Sequence, residues 1–426
     1  MQRLFYFMDL LQHFLSHLAI STDSRTVKQG DIFFALKGEN FDGNTYAVNA
    51  LNLGASLVVV DDPSLTLPKG KFLLVKDVLT ALQKLAIDYR KLFDVPILGI
   101  TGSNGKTTTK ELLAAVISQK YKPLVTKGNL NNHIGVPITL LSARKENDFF
   151  IIEMGANHVG EIAMLSEIAQ PDFGLITNIG KAHLDGFGGE EGVKRGKSEL
   201  YKFLEKTDGT IFCNAVDQVL LSLLPPNAKT IVYDVLQKLE ILQTSPTITY
   251  SYKGKQIATH LFGVYNLPNI AAAIAVGEFF GIEEAQINEA IAAYTPSNNR
   301  SEISSLNGNV IIKDAYNANP SSLLASLHSF LDQKNHENQI IVLGDMLELG
   351  EASEAEHHQI LTFVTPFKLF KKIFIGPRFY QFKTQFEGEF YENVTEASQH
   401  VDLSTYSDKQ ILLKGSRGIA VEKILK

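Results

Sequence analysis

The sequence predicts an α/β protein of three domains, with a phosphate-binding strand–loop–helix unit in the central one. Three observations carry this. The segment Ile97–Leu113, ILGITGSNGKTTTKELL, leads an apolar strand through a glycine turn into a helix. Short runs that are apolar at every position, bounded by turn residues, recur along the chain, as strands buried on both faces of a parallel sheet do. The pattern changes near residues 93 and 300, and 426 residues exceed what a single core usually holds.

The domain spanning residues 1–93 opens with MQRLFYFMDLLQHFLSHLAI. Asp9, His13 and His17 interrupt its apolar run and no small-residue cleavage site follows, which argues against a signal peptide. Leu4, Met8, Leu11, Leu15 and Leu18 recur at helical spacing, so an amphipathic first helix is expected. DIFFAL, ASLVVV and KFLLV read as strands, DVLTALQKLAIDYRKLF as a helix, and STDSRTVKQGD as a polar loop carrying Arg25.

In the central domain, residues 94–300, VPILGI, FFIIEM and FGLITNI read as strands of a buried parallel sheet of the P-loop ATPase type. TITYSYKGKQIATHLF alternates about Lys253-Gly254, as a small antiparallel hairpin does. The third domain, residues 301–426, repeats one theme in NVIIKDAYN, NQIIVLGDM, KKIFIGPRF and QILLKGSRG. With helical PSSLLASLHSFLDQ and EAEHHQILTFV between them, these predict a second, Rossmann-like α/β unit. Ligands of open α/β sheets bind beyond the carboxyl ends of the strands, where Asp314–Asn319, Gly344–Asp345 and Lys414–Arg417 fall.

Composition narrows the class of function. Hydrophobic residues make up 45% and charged residues 20%, a soluble globular balance. A net charge of −6 speaks against general nucleic-acid binding but leaves room for a local basic pocket. The single cysteine, Cys213, excludes an internal disulfide and a cysteine-rich metal site and fits a reducing compartment. The longest other apolar stretch, Ile270–Val276, is far too short to span a bilayer, so no membrane insertion is expected. A cytoplasmic monomer is the expectation.

The strict phosphate-loop pattern G-x-x-x-x-G-K-[ST] fails, because Ile100 stands where its first glycine belongs. Gly102 and Gly105 nevertheless let backbone amides curl around an anion, and the following helix adds its dipole. Lys106 supplies a point charge and Thr107 a hydroxyl of the kind that binds Mg²⁺. Glu153, closing FFIIE, stands where loop-type nucleoside triphosphatases place an acidic metal ligand. His183 and Asp185 follow the strand FGLITNI, and from sequence alone His183 is as readily structural as ligating. EEGVKRGKSEL reads as a charged helix face, and nothing in its spacing singles out Lys197.

Set in order, DSR (23–25), GDIFFALKGENFDG (30–43), TGSNGKT (101–107), GNLNNHIGVPITLL (128–141), EMGANHVGEI (153–162), NIGKAHLDGFG (178–188), YNLPNIAAA (265–273), DAYNANP (314–320), GDMLELG (344–350) and KGSR (414–417) resemble the motifs of the Mur ligases. These are ATP-dependent amide-forming enzymes of peptidoglycan synthesis, and YNANP with KGSR resembles their dipeptide-adding branch. The implied substrates are UDP-N-acetylmuramoyl-tripeptide and D-alanyl-D-alanine, joined through an acyl phosphate made from ATP.

The resemblance also implies roles. Gly102, Ser103, Asn104, Gly105, Lys106, Thr107 and Thr108 would grip the ATP phosphates, with Thr107 and Glu153 on one Mg²⁺. His183 and a carbamylated Lys197 would hold a second, so Lys106, Glu153, His183 and Lys197 form the catalytic set. Asn266, Asn269, Arg300 and Asp314 match positions that hold adenine and ribose or link the nucleotide to domain closure. Ser24 and Arg25 would receive the uridine diphosphate, and Asn129, Asn131 and Asn132 would line the cleft. Asn317, Asn319, Lys414, Ser416 and Arg417 would face the dipeptide. Without the resemblance, Arg25 and Arg300 read as loop charges, Asn266 and Asn269 as helix caps, and DAYNANP as a turn into a proline-started helix. Three residues depart from the family pattern: Asn44 for the histidine of FDGH, His133 for an acidic residue, and Lys313 for the first aspartate of DDAYNANP.

Overall fold

Strands that are apolar at every position need cover on both faces, and the arrangement of the chain follows from supplying it. A computed structural model describes residues 2–297, 299–332 and 336–425. The central sheet has six strands in the order Lys229–Tyr233, Thr210–Asn214, Phe173–Ile176, Ile97–Thr101, Phe149–Glu153, Pro123–Val125. All neighbours are parallel. Ile97–Thr101 and Phe149–Glu153 are buried at every residue. The helix Leu267–Phe279, apolar on nearly all sides, packs on Lys106–Ile117, and both cover one face of this sheet. The expected hairpin is Thr249–Tyr252 and Lys255–Ala258, with Lys253 and Gly254 both at positive φ in its two-residue turn. A third, fully exposed strand, Glu240–Gln243, extends it and was not expected.

The first sheet is parallel, in the order Ile20–Ser21, Ile32–Phe34, Leu57–Val60, Phe72–Leu74. The helix Val78–Arg90 starts at Asp77, whose carboxylate caps Thr80 N, and packs against the central helix Gly135–Leu141. Tyr89 OH donates to Ala143 O at 2.8 Å and Gln83 Nε2 to His133 O at 3.0 Å, which seats the two units on each other.

The opening helix forms over Gln2–His17, but its buried face differs from the expected stripe. Leu10 and Phe14 are buried, Leu11 and Leu18 half-buried, and Leu15 is 37% exposed. Leu4 and Met8 lie outside the residues whose side chains are described. Two overlapping stripes are apolar, and contact with Tyr89 selects the one through Phe14, whose ring meets it edge-on at 4.9 Å.

The C-terminal sheet runs Glu302–Leu306, Asn309–Lys313, Gln410–Lys414, Gln339–Gly344, Lys371–Ile375, Glu389–Tyr391. Its first pair is antiparallel and the rest are parallel. Asn309–Lys313, Gln410–Lys414 and Gln339–Gly344 are adjacent, so their polar end clusters lie side by side facing the central sheet. Among the described residues no helix is long and apolar enough to cross a membrane.

Replacing Phe14 by Ala removes a fully buried ring between the first helix and Tyr89. The expected cost is about 3–5 kcal/mol to the N-terminal unit, read as a lower urea midpoint. An unchanged midpoint would show that the first helix adds nothing to this core.

Candidate active site

A cleft of about 810 Å³ opens between the central and C-terminal sheets. From the central sheet, Ser103, Asn104, Gly105, Lys106, Thr107, Thr108, Asn129, Asn131, Asn132, Glu153, His183, Asn266 and Asn269 line it. Opposite stand Arg300, Asp314, Asn317, Asn319, Lys414, Ser416 and Arg417. Gly102 is not among the lining residues. Lys197, Ser24 and Arg25 are not part of the wall; Arg25 is exposed and pairs with Asp23 at 2.6 Å.

The phosphate loop has its shape because two glycines take backbone angles that other residues resist. Gly102 has φ 142° and Gly105 φ 78°. A Cβ on Gly102 would lie 2.0 Å from Thr177 Oγ1, and one on Gly105 would lie 2.6 Å from Asn269 Oδ1. The close approach is bonded throughout. Ser103 N donates to Asn178 O (3.0 Å), Asn104 N to Asn178 Oδ1 (3.0 Å) and Thr177 Oγ1 to Asn104 O (2.6 Å). Lys106 Nζ folds back on Gly102 O (2.6 Å) and Ser103 O (3.1 Å). Burial lowers its pKa to about 8.

Glu153 is buried beside this loop. Its Oε1 accepts from Asn131 Nδ2 (2.7 Å) and Thr107 Oγ1 (3.2 Å). Its Oε2 has no hydrogen-bond partner, though the buried ammonium of Lys110 lies 3.5 Å away. A buried, unsatisfied carboxylate oxygen next to a threonine hydroxyl suits a hard cation such as Mg²⁺. The sequence reading passed over Lys110, whose only mark was its place one helical turn after Lys106.

The second proposed metal pair is arranged differently. Lys197 is buried and its Nζ donates to Ala156 O at 3.0 Å, with the Phe187 ring 5.0 Å away. His183, at φ 53°, turns its Nδ1 to within 2.5 Å of Glu348 Oε2, on the loop after the strand Gln339–Gly344. Among the described residues no three His, Cys, Asp or Glu side chains gather as a metal cage.

Asn266 and Asn269 belong to one buried network. Asn269 Oδ1 accepts from Thr109 Oγ1 (3.0 Å), and its Nδ2 donates to Asn266 Oδ1 (2.9 Å). Asn266 Nδ2 reaches Phe262 O (2.8 Å) and Ser301 Oγ (3.3 Å), and Ser301 bonds Tyr265 OH (2.9 Å). Asp314 accepts from Lys414 Nζ and Ser326 Oγ, each at 2.5 Å, and its pKa is lowered despite burial because Lys414 stands beside it. The Arg300 guanidinium lies 3.6 Å over the Tyr316 ring, and Arg417 Nη1 donates to Tyr316 OH at 3.4 Å. Tyr265, Ser301 and Tyr316 were not predicted, and nothing in their spacing set them apart.

Several bonds cross the cleft. Asn319 Nδ2 donates to Asn104 Oδ1 (2.7 Å), Lys181 N to Ser321 Oγ (3.0 Å), and Lys181 Nζ to Glu356 Oε1 (2.6 Å). The departures from the family pattern settle locally. Lys313 pairs with Glu302, its opposite residue in the antiparallel register, at 2.9 Å. Asn44 is buried and donates to Asp42 and Asp61, both at 2.7 Å. His133 alone of the three lines the cleft.

Gly102→Ala drives a methyl group into Thr177 and so opens the loop. ADP binding measured by calorimetry is expected to weaken at least about tenfold, as expected for losing one or two phosphate-loop hydrogen bonds. Retained affinity would show that the approach of residue 102 to residue 177 is dispensable.

Comparison with known proteins agrees with this geometry. Residues 18–90 match the Mur ligase family catalytic domain, residues 100–277 the Mur ligase middle domain, and residues 299–417 the Mur ligase glutamate ligase domain. The chain is similar to UDP-N-acetylmuramoyl-tripeptide–D-alanyl-D-alanine ligase of Bacillus subtilis (strain 168), at 33% identity over 422 residues, 96% of this chain and 92% of that one. The Escherichia coli (strain K12) enzyme of the same name is 32% identical, covering 96% of this chain and 93% of its own. Among solved structures, MurF from Acinetobacter baumannii has a TM-score of 0.84 at 30% identity, covering 95% and 92% of the two chains. MurF ligase from Thermotoga maritima in complex with ADP has a TM-score of 0.81 at 26% identity, covering 95% and 96%. With three matched domains in family order and full-length relatives at this identity, the chain belongs to the Mur ligase family.

Proposed function

We propose that this chain joins D-alanyl-D-alanine to UDP-N-acetylmuramoyl-tripeptide, with ATP converted to ADP and phosphate. The observation that carries the reading is the cleft itself, where the phosphate loop and Glu153 face the DAYNANP and KGSR loops. The names of the full-length relatives and the ADP complex of the Thermotoga protein support it.

The tripeptide carboxylate takes the γ-phosphoryl group, the dipeptide amine attacks the acyl phosphate, and phosphate leaves. Lys106 exchanges its bonds to Gly102 O and Ser103 O for the ATP phosphates. Thr107 and Glu153 would hold Mg²⁺, which when bound offsets phosphate charge. Asn104 and Asn319 tie the two walls together and help exclude water from the acyl phosphate. Asn317, Lys414, Ser416 and Arg417 form the wall that meets the dipeptide, and Ser24 and Arg25 take the uridine diphosphate end. Burial holds Lys197 well below the usual lysine pKa, favouring the neutral amine that combines with carbon dioxide. Its carbamate would give His183 an anionic companion for a second Mg²⁺. The enzyme works as a cytoplasmic monomer, and residues 1–93, 94–300 and 301–426 are its substrate, ATP and dipeptide domains.

The test is phosphate release from ATP and tripeptide, with D-alanyl-D-alanine, single amino acids or folate added in turn and the product weighed by mass spectrometry. Release that depends on the dipeptide and yields its amide is expected. Turnover with a single amino acid or folate instead would identify a related ligase, and no stimulation by any amine would point to a nucleotide-dependent switch. Lys197→Ala should lower the rate about 10–100-fold, as expected for loss of a group supporting a metal, and carbon-13 NMR of the wild type should show a carbamate. Full activity in the variant with no carbamate signal would sink the second-metal assignment.

A further inference from the structure

We propose that His357 is a positioning residue for the amine-binding wall of the cleft, acting through the backbone of residues 345–349. The proposal rests on the ligase reading above, since it assigns the C-terminal wall to the dipeptide.

His357 lies on the helix Ser353–Val364 and is wholly buried, outside the cleft lining. Its Nδ1 is 2.6 Å from Ser353 O. A carbonyl can only accept, so Nδ1 carries the proton. Nε2 is then the acceptor, and Met346 N–H donates to it at 3.0 Å. One neutral tautomer satisfies both bonds, and burial keeps the ring neutral by lowering its pKa to about 4. The ring also meets Phe379 edge-on at 4.7 Å. An imidazole clamped on three sides is a rigid support for Met346.

The support reaches the cleft in two short steps. Leu347 N, next in the chain, donates to Ser416 Oγ at 3.0 Å, and Ser416 Oγ donates to Ala318 O at 3.3 Å. Ser416 N returns to Asp345 O at 3.2 Å. The DAYNANP, GDMLELG and KGSR loops are thereby bonded into one unit, with His357 as its outer anchor. The same loop carries Glu348 to His183 across the cleft. Asp345 fixes the near end of the loop by accepting from Arg378 N (2.8 Å) and Phe379 N (2.9 Å). Met346 N–H donates to His357, so loss of Nε2 leaves this N–H without its acceptor between the bonded residues Asp345 and Leu347.

A merely structural histidine and a positioning one respond differently to two substitutions. His357→Gln can offer an amide oxygen where Nε2 stood, whereas His357→Asn replaces Nδ1 alone. Steady-state kinetics of the full chain, with D-alanyl-D-alanine and ATP varied separately, provide the readout. His357→Asn should raise KM for the dipeptide about tenfold and leave KM for ATP within about twofold, as expected for one buried N–H left without an acceptor. His357→Gln should return the dipeptide KM to within about threefold of wild type. Equal dipeptide KM values in the two variants would overturn the proposal, as would parallel rises for both substrates accompanied by a lower melting temperature. If His357→Asn does not fold, a near-normal dipeptide KM in His357→Gln supports the proposal and a raised one overturns it. A wild-type chain without dipeptide-dependent turnover would remove the ligase reading and this proposal with it.

Discussion

The site depends on how closely two backbone segments approach, residues 102–105 and residues 177–180. Gly102 meets Thr177 where no side chain fits, and the amides of Ser103 and Asn104 are used on Asn178. This contact holds the phosphate loop at the carboxyl end of its strand and points the helix start at Lys106 into the cleft. It also carries the loop after Phe173–Ile176, and with it Lys181 and His183, to the boundary with the C-terminal sheet. The parallel pairing of Ile97–Thr101 with both Phe173–Ile176 and Phe149–Glu153 makes the approach possible, because it puts all three strand ends on one edge.

Charge in the cleft is arranged so that buried ionic groups have companions. Glu153 has Thr107, Asn131 and Lys110, and Asp314 has Lys414 and Ser326. Oε2 of Glu153 has the Lys110 ammonium 3.5 Å away but no hydrogen bond, which leaves it a lone pair free beside Thr107. Buried polar groups are costly unless bonded, and among the described residues the two in the cleft that lack a hydrogen bond, Glu153 Oε2 and His183 Nδ1, mark places for a ligand.

Much of this was legible in the sequence. Strands such as VPILGI and FFIIEM announced themselves because burial on both faces forces apolar residues at every position. TGSNGKT was legible because positive φ at residues 102 and 105 demands glycine there. What stayed hidden came from through-space partners. The Glu348 contact of His183 and the burial of Lys197 depend on segments far apart in the chain. The edge strands Glu302–Leu306 and Glu389–Tyr391 escaped notice because they are half-buried and mixed in polarity. Lys313 departs from the family pattern in sequence, and its cross-strand partner Glu302 is a through-space match that no local pattern reveals. The first helix was recognisable, but periodicity could not choose between two adjacent apolar stripes.

The bonds that span the cleft share one property. Asn104 with Asn319 and Lys181 with Ser321 and Glu356 are all polar, as is the close contact of His183 with Glu348, and most of these groups retain some exposure to water. Neutral pairs of this kind contribute about 0.5–1.5 kcal/mol each, because water replaces either partner readily. Parting the two walls at these points therefore rehydrates them rather than stripping bare a greasy surface. An apolar seal of the same area would resist parting; a polar one parts at little cost, and dissolved salt weakens its Lys181–Glu356 ion pair.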